Sequence, residues 1–102
     1  MVSSVGMAIR SFARSRIRAF FLTNEVPKRA GWAKVASVAA RKLDMLDYAH
    51  RLEDLRSPPG NRLEALKGQL AGLHSIRINE RWRVIIRWTE AGPAQVDIVD
   101  YH

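Results

Sequence analysis

Apolar residues in the first half of this chain recur at three- and four-residue steps, and in the second half they fall at every other position. Ile17, Phe20 and Phe21 share one side of a helix predicted over Ala13 to Leu22, preceded by a short strand at Ala8 to Phe12. The segment Thr23 to Gly31, with Asn24, Pro27 and Gly31, breaks that helix. From Trp32 to about Leu55, apolar Trp32, Val35, Ala36, Ala39, Leu43 and Leu46 keep helical spacing, while Lys34, Arg41, Lys42, Asp44, Asp47 and Arg51 fall mostly between them. That pattern predicts one long amphipathic helix whose stripe is core. The run Arg56-Ser57-Pro58-Pro59-Gly60-Asn61 stops it, because Pro58 disfavours helical geometry at Ser57 and Gly60 supplies a permissive turn.

The remaining residues change period. Leu63 and Leu66 flank a short extended or turn segment, and Leu66 to Gly72, with two glycines, reads as a loop. His74 to Asn79 and Trp82 to Glu90 then read as strands joined by a tight Asn79-Glu80-Arg81 turn. Ala91-Gly92-Pro93 turns the chain into a last strand, Ala94 to Tyr101. Two leading helices and a set of strands sharing one core predict an α+β fold, two N-terminal helices packed on a small, mostly antiparallel sheet. Length alone predicts one domain over residues 1–102, with 1–6, ahead of a second methionine at Met7, as a dispensable leader.

Charge narrows the partner. The formal net charge is +7, and residues 1–34 supply most of it, since Arg10, Arg14, Arg16, Arg18, Lys28, Arg29 and Lys34 face only Glu25. An anionic partner is expected: nucleic acid, an acidic protein or an anionic surface. No apolar run approaches the roughly 18 residues of a membrane span, so no membrane role is expected. The absence of cysteine rules out a disulfide framework, a thiolate nucleophile and a thiolate zinc site. His50, His74 and His102 lack ligand spacing, so no metal and no other cofactor is expected.

Strand alternation places Arg77 and Asn79 opposite Ile76 and Ile78, and Arg83, Ile85 and Arg87 opposite Trp82, Val84, Ile86 and Trp88. One hairpin thus presents up to three guanidiniums on one surface. Guanidinium pairs with phosphate through bidentate, charge-assisted bonds, which makes a phosphodiester an obvious guest; solvated arginines balanced by Glu80 and Glu90 are the plain alternative. The chain ends Asp100-Tyr101-His102, where a histidine titrating near neutrality can give or take a proton. A proton-transfer group beside a phosphate clamp is what attack by a ribose 2′-hydroxyl needs.

The stretches "NRLEALKG", "SIRINERWRVIIRW" and terminal "VDIVDYH", with "IRSF" at residues 9–12 and "LRSPPGN" after the long helix, closely resemble the HigB branch of the RelE/ParE toxin superfamily. The resemblance runs from about Met7 to His102. It assigns the basic start to the fold itself, although that start also has the composition of a transit peptide. It implies a cytoplasmic, metal-independent endoribonuclease, the toxin of a type II toxin-antitoxin pair, that cuts messenger RNA on the ribosome. It further implies catalytic roles for Asp100, Tyr101 and His102. Where the family usually carries a histidine two residues before Leu-Lys-Gly, this chain has Glu64, either a general base or a bystander. Arg77, Arg81, Arg83 and Lys67 are the expected RNA-phosphate contacts. The implied partners are a HigA-like helix-turn-helix antitoxin, the ribosome and mRNA, with operator DNA bound only through the antitoxin. The ParE branch poisons gyrase on the same scaffold, so a gyrase inhibitor and a non-cleaving RNA-binding module are the competing classes.

Overall fold

The computed structural model describes residues 8–100. Its two helices each bury one stripe. In α1 (Ser15–Thr23) the buried side chains are Ile17 and Phe20, and in α2 (Ala36–Tyr48) they are Ala39, Leu43 and Leu46. Helix α1 ends because Asn24 turns into the left-handed region (φ 62°, ψ 11°) and its N–H reaches back to the Phe20 carbonyl at 2.7 Å.

Four strands follow in a meander, β1 (Glu64–Ala65), β2 (His74–Arg77), β3 (Trp82–Thr89) and β4 (Gly92–Asp100), paired antiparallel in the order β1-β2-β3-β4. The alternation read from the sequence is realised. Ile76, Val84 and Ile98 lie in one row across the sheet, fully or almost fully buried, and join Ile17, Phe20, Leu43 and Leu46 in a single core. Phe20 meets Trp32 edge-on at 4.7 Å, closing the core beside the helices. The β2–β3 turn is fixed by Asn79, whose Oδ1 accepts the N–H groups of Arg81 at 2.9 Å and Trp82 at 2.7 Å.

Three local expectations change. The first strand is only an edge segment: Phe12 bridges Val96 in parallel, with Val96 N–H on the Ser11 carbonyl and Ala13 N–H on the Val96 carbonyl. This is the parallel part of a mostly antiparallel arrangement. The long helix stops at Tyr48 rather than near Leu55, and Leu52–Arg56 is a separate 3₁₀ turn. The reason is chemical: Asp54 Oδ2 accepts the N–H groups of His50 at 2.9 Å and Arg51 at 3.1 Å, offering those donors an alternative to the helical ladder. In the 91–93 region the turn is made by Glu90 and Ala91, and Gly92 and Pro93 already belong to β4.

The link between α2 and β1 is locked by one residue. Asn61 is fully buried; its Nδ2 donates to the carbonyls of Leu55 at 3.0 Å and Ser57 at 3.4 Å, and its Oδ1 accepts from Lys42 Nζ at 2.6 Å. Burial, and then the neighbouring charge of Arg41, holds the Lys42 amine below its ordinary pKa. Arg62, directly after this anchor, is left-handed at φ 46°, ψ 57°. The sheet row that ends in Glu64 therefore starts from a fixed point.

Candidate active site

At the end of the sheet where β2 runs out and β3 begins, Arg77 and Arg83 stand directly opposite each other. Two facing guanidiniums repel unless each finds its own environment. Arg83 turns inward, only 7% exposed, and its Nη1 donates both to the buried Ser75 Oγ at 2.8 Å and to the Glu64 carboxylate. Glu64 sits on β1 in register with Ser75, so three successive strands contribute one side chain each to this contact. Burying a guanidinium is costly unless its donors are met by a carboxylate and a hydroxyl. Here they are, and the result is a cation held in one orientation.

Arg77 stays half-exposed. With Arg62, Glu64, Asn79, Glu80 and Arg83 it lines an open cleft of about 220 Å³. Three guanidiniums and two carboxylates share this space, and one of the carboxylates, Glu64, is committed to Arg83. Among the described residues, neither the Arg62 nor the Arg77 guanidinium has a hydrogen-bond or ion-pair partner. A small cleft with a net positive lining suits an anion passing through it.

Of the residues expected from sequence, Glu64, Arg77 and Arg83 are brought together here. Arg81 is not. Its Nε donates to Asp100 Oδ2 at 2.7 Å, and its guanidinium lies 5.7 Å from the Trp82 ring centroid. Asp100 is paired in register with Trp82, one step along from the Arg83–Val99 pair, so it lies at the cleft's end of the sheet but in the row of Trp82. Lys67 is exposed on the loop after β1 and is not among the residues lining the cleft. Tyr101 and His102 lie outside the described residues.

Two residues at the site were not anticipated. Ser75 is the buried acceptor that orients Arg83, and its signal was its place on the arginine side of β2 by alternation. Arg62 is the third arginine lining the cleft; it sits two residues before Glu64 in a left-handed turn, where strand alternation gives no signal. Of the basic N-terminal block, Arg14 is tied to Asp97 at 2.8 Å, while Arg10, Arg16, Arg18, Lys28, Arg29 and Lys34 remain exposed. No helix among the described residues is long and apolar enough to cross a membrane.

Residues 10–102 match the family described as the RelE-like toxin of type II toxin-antitoxin system HigB. Among curated proteins, the chain is 43% identical over 70 residues to Toxin HigB-1 of Vibrio cholerae serotype O1, a stretch covering 69% of this chain and 73% of that one. It is also 43% identical over 51 residues, half of each chain, to an uncharacterized protein of Haemophilus influenzae.

Proposed function

Because the chain belongs to the HigB-like toxins of type II toxin-antitoxin systems, we propose that it inhibits translation as a metal-independent endoribonuclease, cutting ribosome-bound messenger RNA at the cleft between β1 and the β2–β3 hairpin. The observation that carries this reading is the oriented Arg83 guanidinium, held by Ser75 and Glu64 and facing Arg77 across the strand pair. A preorganised cation needs no rearrangement as charge grows on a phosphorane.

In the reaction so read, a base takes the proton of the ribose 2′-hydroxyl and the freed oxygen attacks phosphorus. The bond to the 5′-oxygen then breaks as an acid protonates it, leaving a 2′,3′-cyclic phosphate and a 5′-hydroxyl. Arg83 and Arg77 hold the phosphate, with Lys67 reaching it from its loop. Glu64 and His102, the latter oriented with Asp100, share the two proton transfers. Tyr101 stacks on a base or orients the hydroxyl, and Arg81, bonded to Asp100, supports that end of the strand. The exposed basic block supplies the attraction to ribosomal RNA.

A type II toxin has an antitoxin partner; a HigA-like helix-turn-helix repressor, carrying any operator binding, is the form proposed here. The test is cleavage mapping in a translating extract. His102→Gln keeps size and shape, and it is expected to slow cutting by ~10² to 10⁴ while ribosome binding persists. Full activity in that variant sinks the assignment. Intact transcripts with arrested gyrase point instead to the gyrase-poison class, and ribosome binding without any cut to a non-catalytic module.

A further inference from the structure

We infer that Arg62 is a further RNA-binding residue of this cleft, gripping a backbone phosphate next to the one held at Arg77 and Arg83. The inference rests on reading the cleft as the RNA site.

Two independent observations carry it. The first is electrostatic. Arg83 has its Nη1 committed to Ser75 and Glu64, whereas Arg62 and Arg77 line the same cleft and their guanidiniums have no hydrogen-bond or ion-pair partner among the described residues. Glu80 also lines the cleft but is ion-paired to neither. The cleft therefore keeps donor capacity beyond what one phosphate at Arg83 would use. Its volume, about 220 Å³, lies below the ~300 Å³ at which pockets enclosing small molecules begin. An open cleft of this size leaves room for a backbone to pass across it, with one phosphate at Arg77 and Arg83 and the next at Arg62.

The second observation concerns the backbone. Arg62 adopts φ 46°, ψ 57°, a left-handed conformation that disfavours any residue with a Cβ, although Gly60 lies only two positions earlier. The conformation is imposed by its neighbour: Asn61, fully buried and bonded to Leu55, Ser57 and Lys42, fixes where the chain leaves the turn. Glycine would occupy position 62 with less strain. The anchored turn thus fixes where Arg62 stands, at the cleft that it lines.

The experiment measures binding of a single-stranded 2′-O-methyl oligoribonucleotide, which lacks the attacking hydroxyl, to the full-length protein across a salt series. Arg62→Gln is expected to weaken binding about tenfold at low salt and to reduce the slope of log affinity against log salt by ~0.7, one phosphate contact to a single strand. Arg62→Lys should retain the slope. Arg62→Gly should lose affinity as Arg62→Gln does while melting at the same temperature as wild type or higher, which separates a lost contact from a damaged fold. If Arg62→Gln binds with unchanged affinity and slope while Arg77→Gln is weakened, the inference about Arg62 is overturned and the cleft reading stands. If neither variant changes the slope, or wild type fails to bind at low salt, the cleft reading falls and the inference with it.

Discussion

Arg83 on β3 reaches past β2 to the carboxylate of Glu64 on β1, nineteen positions away in sequence, with the buried hydroxyl of Ser75 accepting from the same nitrogen. The pairing gives Glu64 two consequences that pull apart. It orients the cation, and it occupies part of the surface that a phosphate would take. Glu64→Gln should therefore bind ribosomal RNA at least as tightly as wild type. If the carboxylate moves a proton, the same variant cuts ~10² to 10⁴ more slowly. Single-turnover cleavage on programmed ribosomes, beside a binding titration, separates the two; a variant with full cutting rate makes Glu64 an orienting group only. The Glu64 side chain is 51% exposed but its partner Arg83 is buried, so loss of the carboxylate's charge, with an amide oxygen left to accept, should cost about 1–3 kcal/mol.

Asn61 should be the more fragile position. Replacing it by Ala leaves the Leu55 carbonyl and the Lys42 amine without their buried partner and empties the amide's volume. A loss of roughly 2–4 kcal/mol is expected, measured as a lower urea midpoint. Cleavage should fall as well at temperatures where the variant remains folded, since Arg62 and Glu64 follow directly from this anchor. Native stability in Asn61→Ala would show that the loop holds itself without the amide.

Much of this arrangement was legible in the chain, and the illegible part has a common cause. Alternation through Ile76, Val84 and Ile86 identified the core side of the hairpin and put Arg77 and Arg83 together on the other, because a pleated strand leaves no choice. Arg81 escaped that rule. It lies in the turn, where period-two reasoning stops, and its side is set by Asp100 and Trp82. The long helix was overextended because apolar spacing continues past Tyr48, while the bonds that end it come from the polar side chain of Asp54. The Glu64–Arg83 contact depends on a two-residue strand, too short to leave any pattern. Arg62 sits in a left-handed turn, where no periodicity tells which way a side chain goes.

Asp54 also gives the fold an acid-side dependence. The N–H groups of His50, and then of Arg51, bond its carboxylate and hold its pKa below the ordinary carboxylate value. As pH falls, the unfolded chain protonates this group first. Between the two values the unfolded state thus holds more protons, and stability drops. The contribution is fully present above the ordinary carboxylate range and is lost as pH falls through the depressed value. In Asp54→Asn the urea midpoint should decline less between pH 7 and pH 3 than it does in wild type, though it starts lower at pH 7. Parallel declines in the two proteins would remove Asp54 from the account.

Gly31 tests whether Trp82 is held in place from the helical side. A Cβ at position 31 would stand 2.5 Å from Trp82 Cζ2 and 2.9 Å from Cη2. The indole cannot keep its position against that contact, and the same ring carries the Arg81 guanidinium that is bonded to Asp100. Gly31→Ala should accordingly cost about 1–3 kcal/mol as overpacking and shift the tryptophan emission. Phenylalanine at position 82 lacks the two clashing atoms. Gly31→Ala combined with Trp82→Phe should therefore be more stable than the sum of the single changes allows, by about 1 kcal/mol or more in a double-mutant cycle. Additive losses would mean that the alanine is accommodated by the 27–32 loop moving away instead. In that case the Arg81–Asp100 pair would not be supported by Gly31, and cleavage by Gly31→Ala should match wild type.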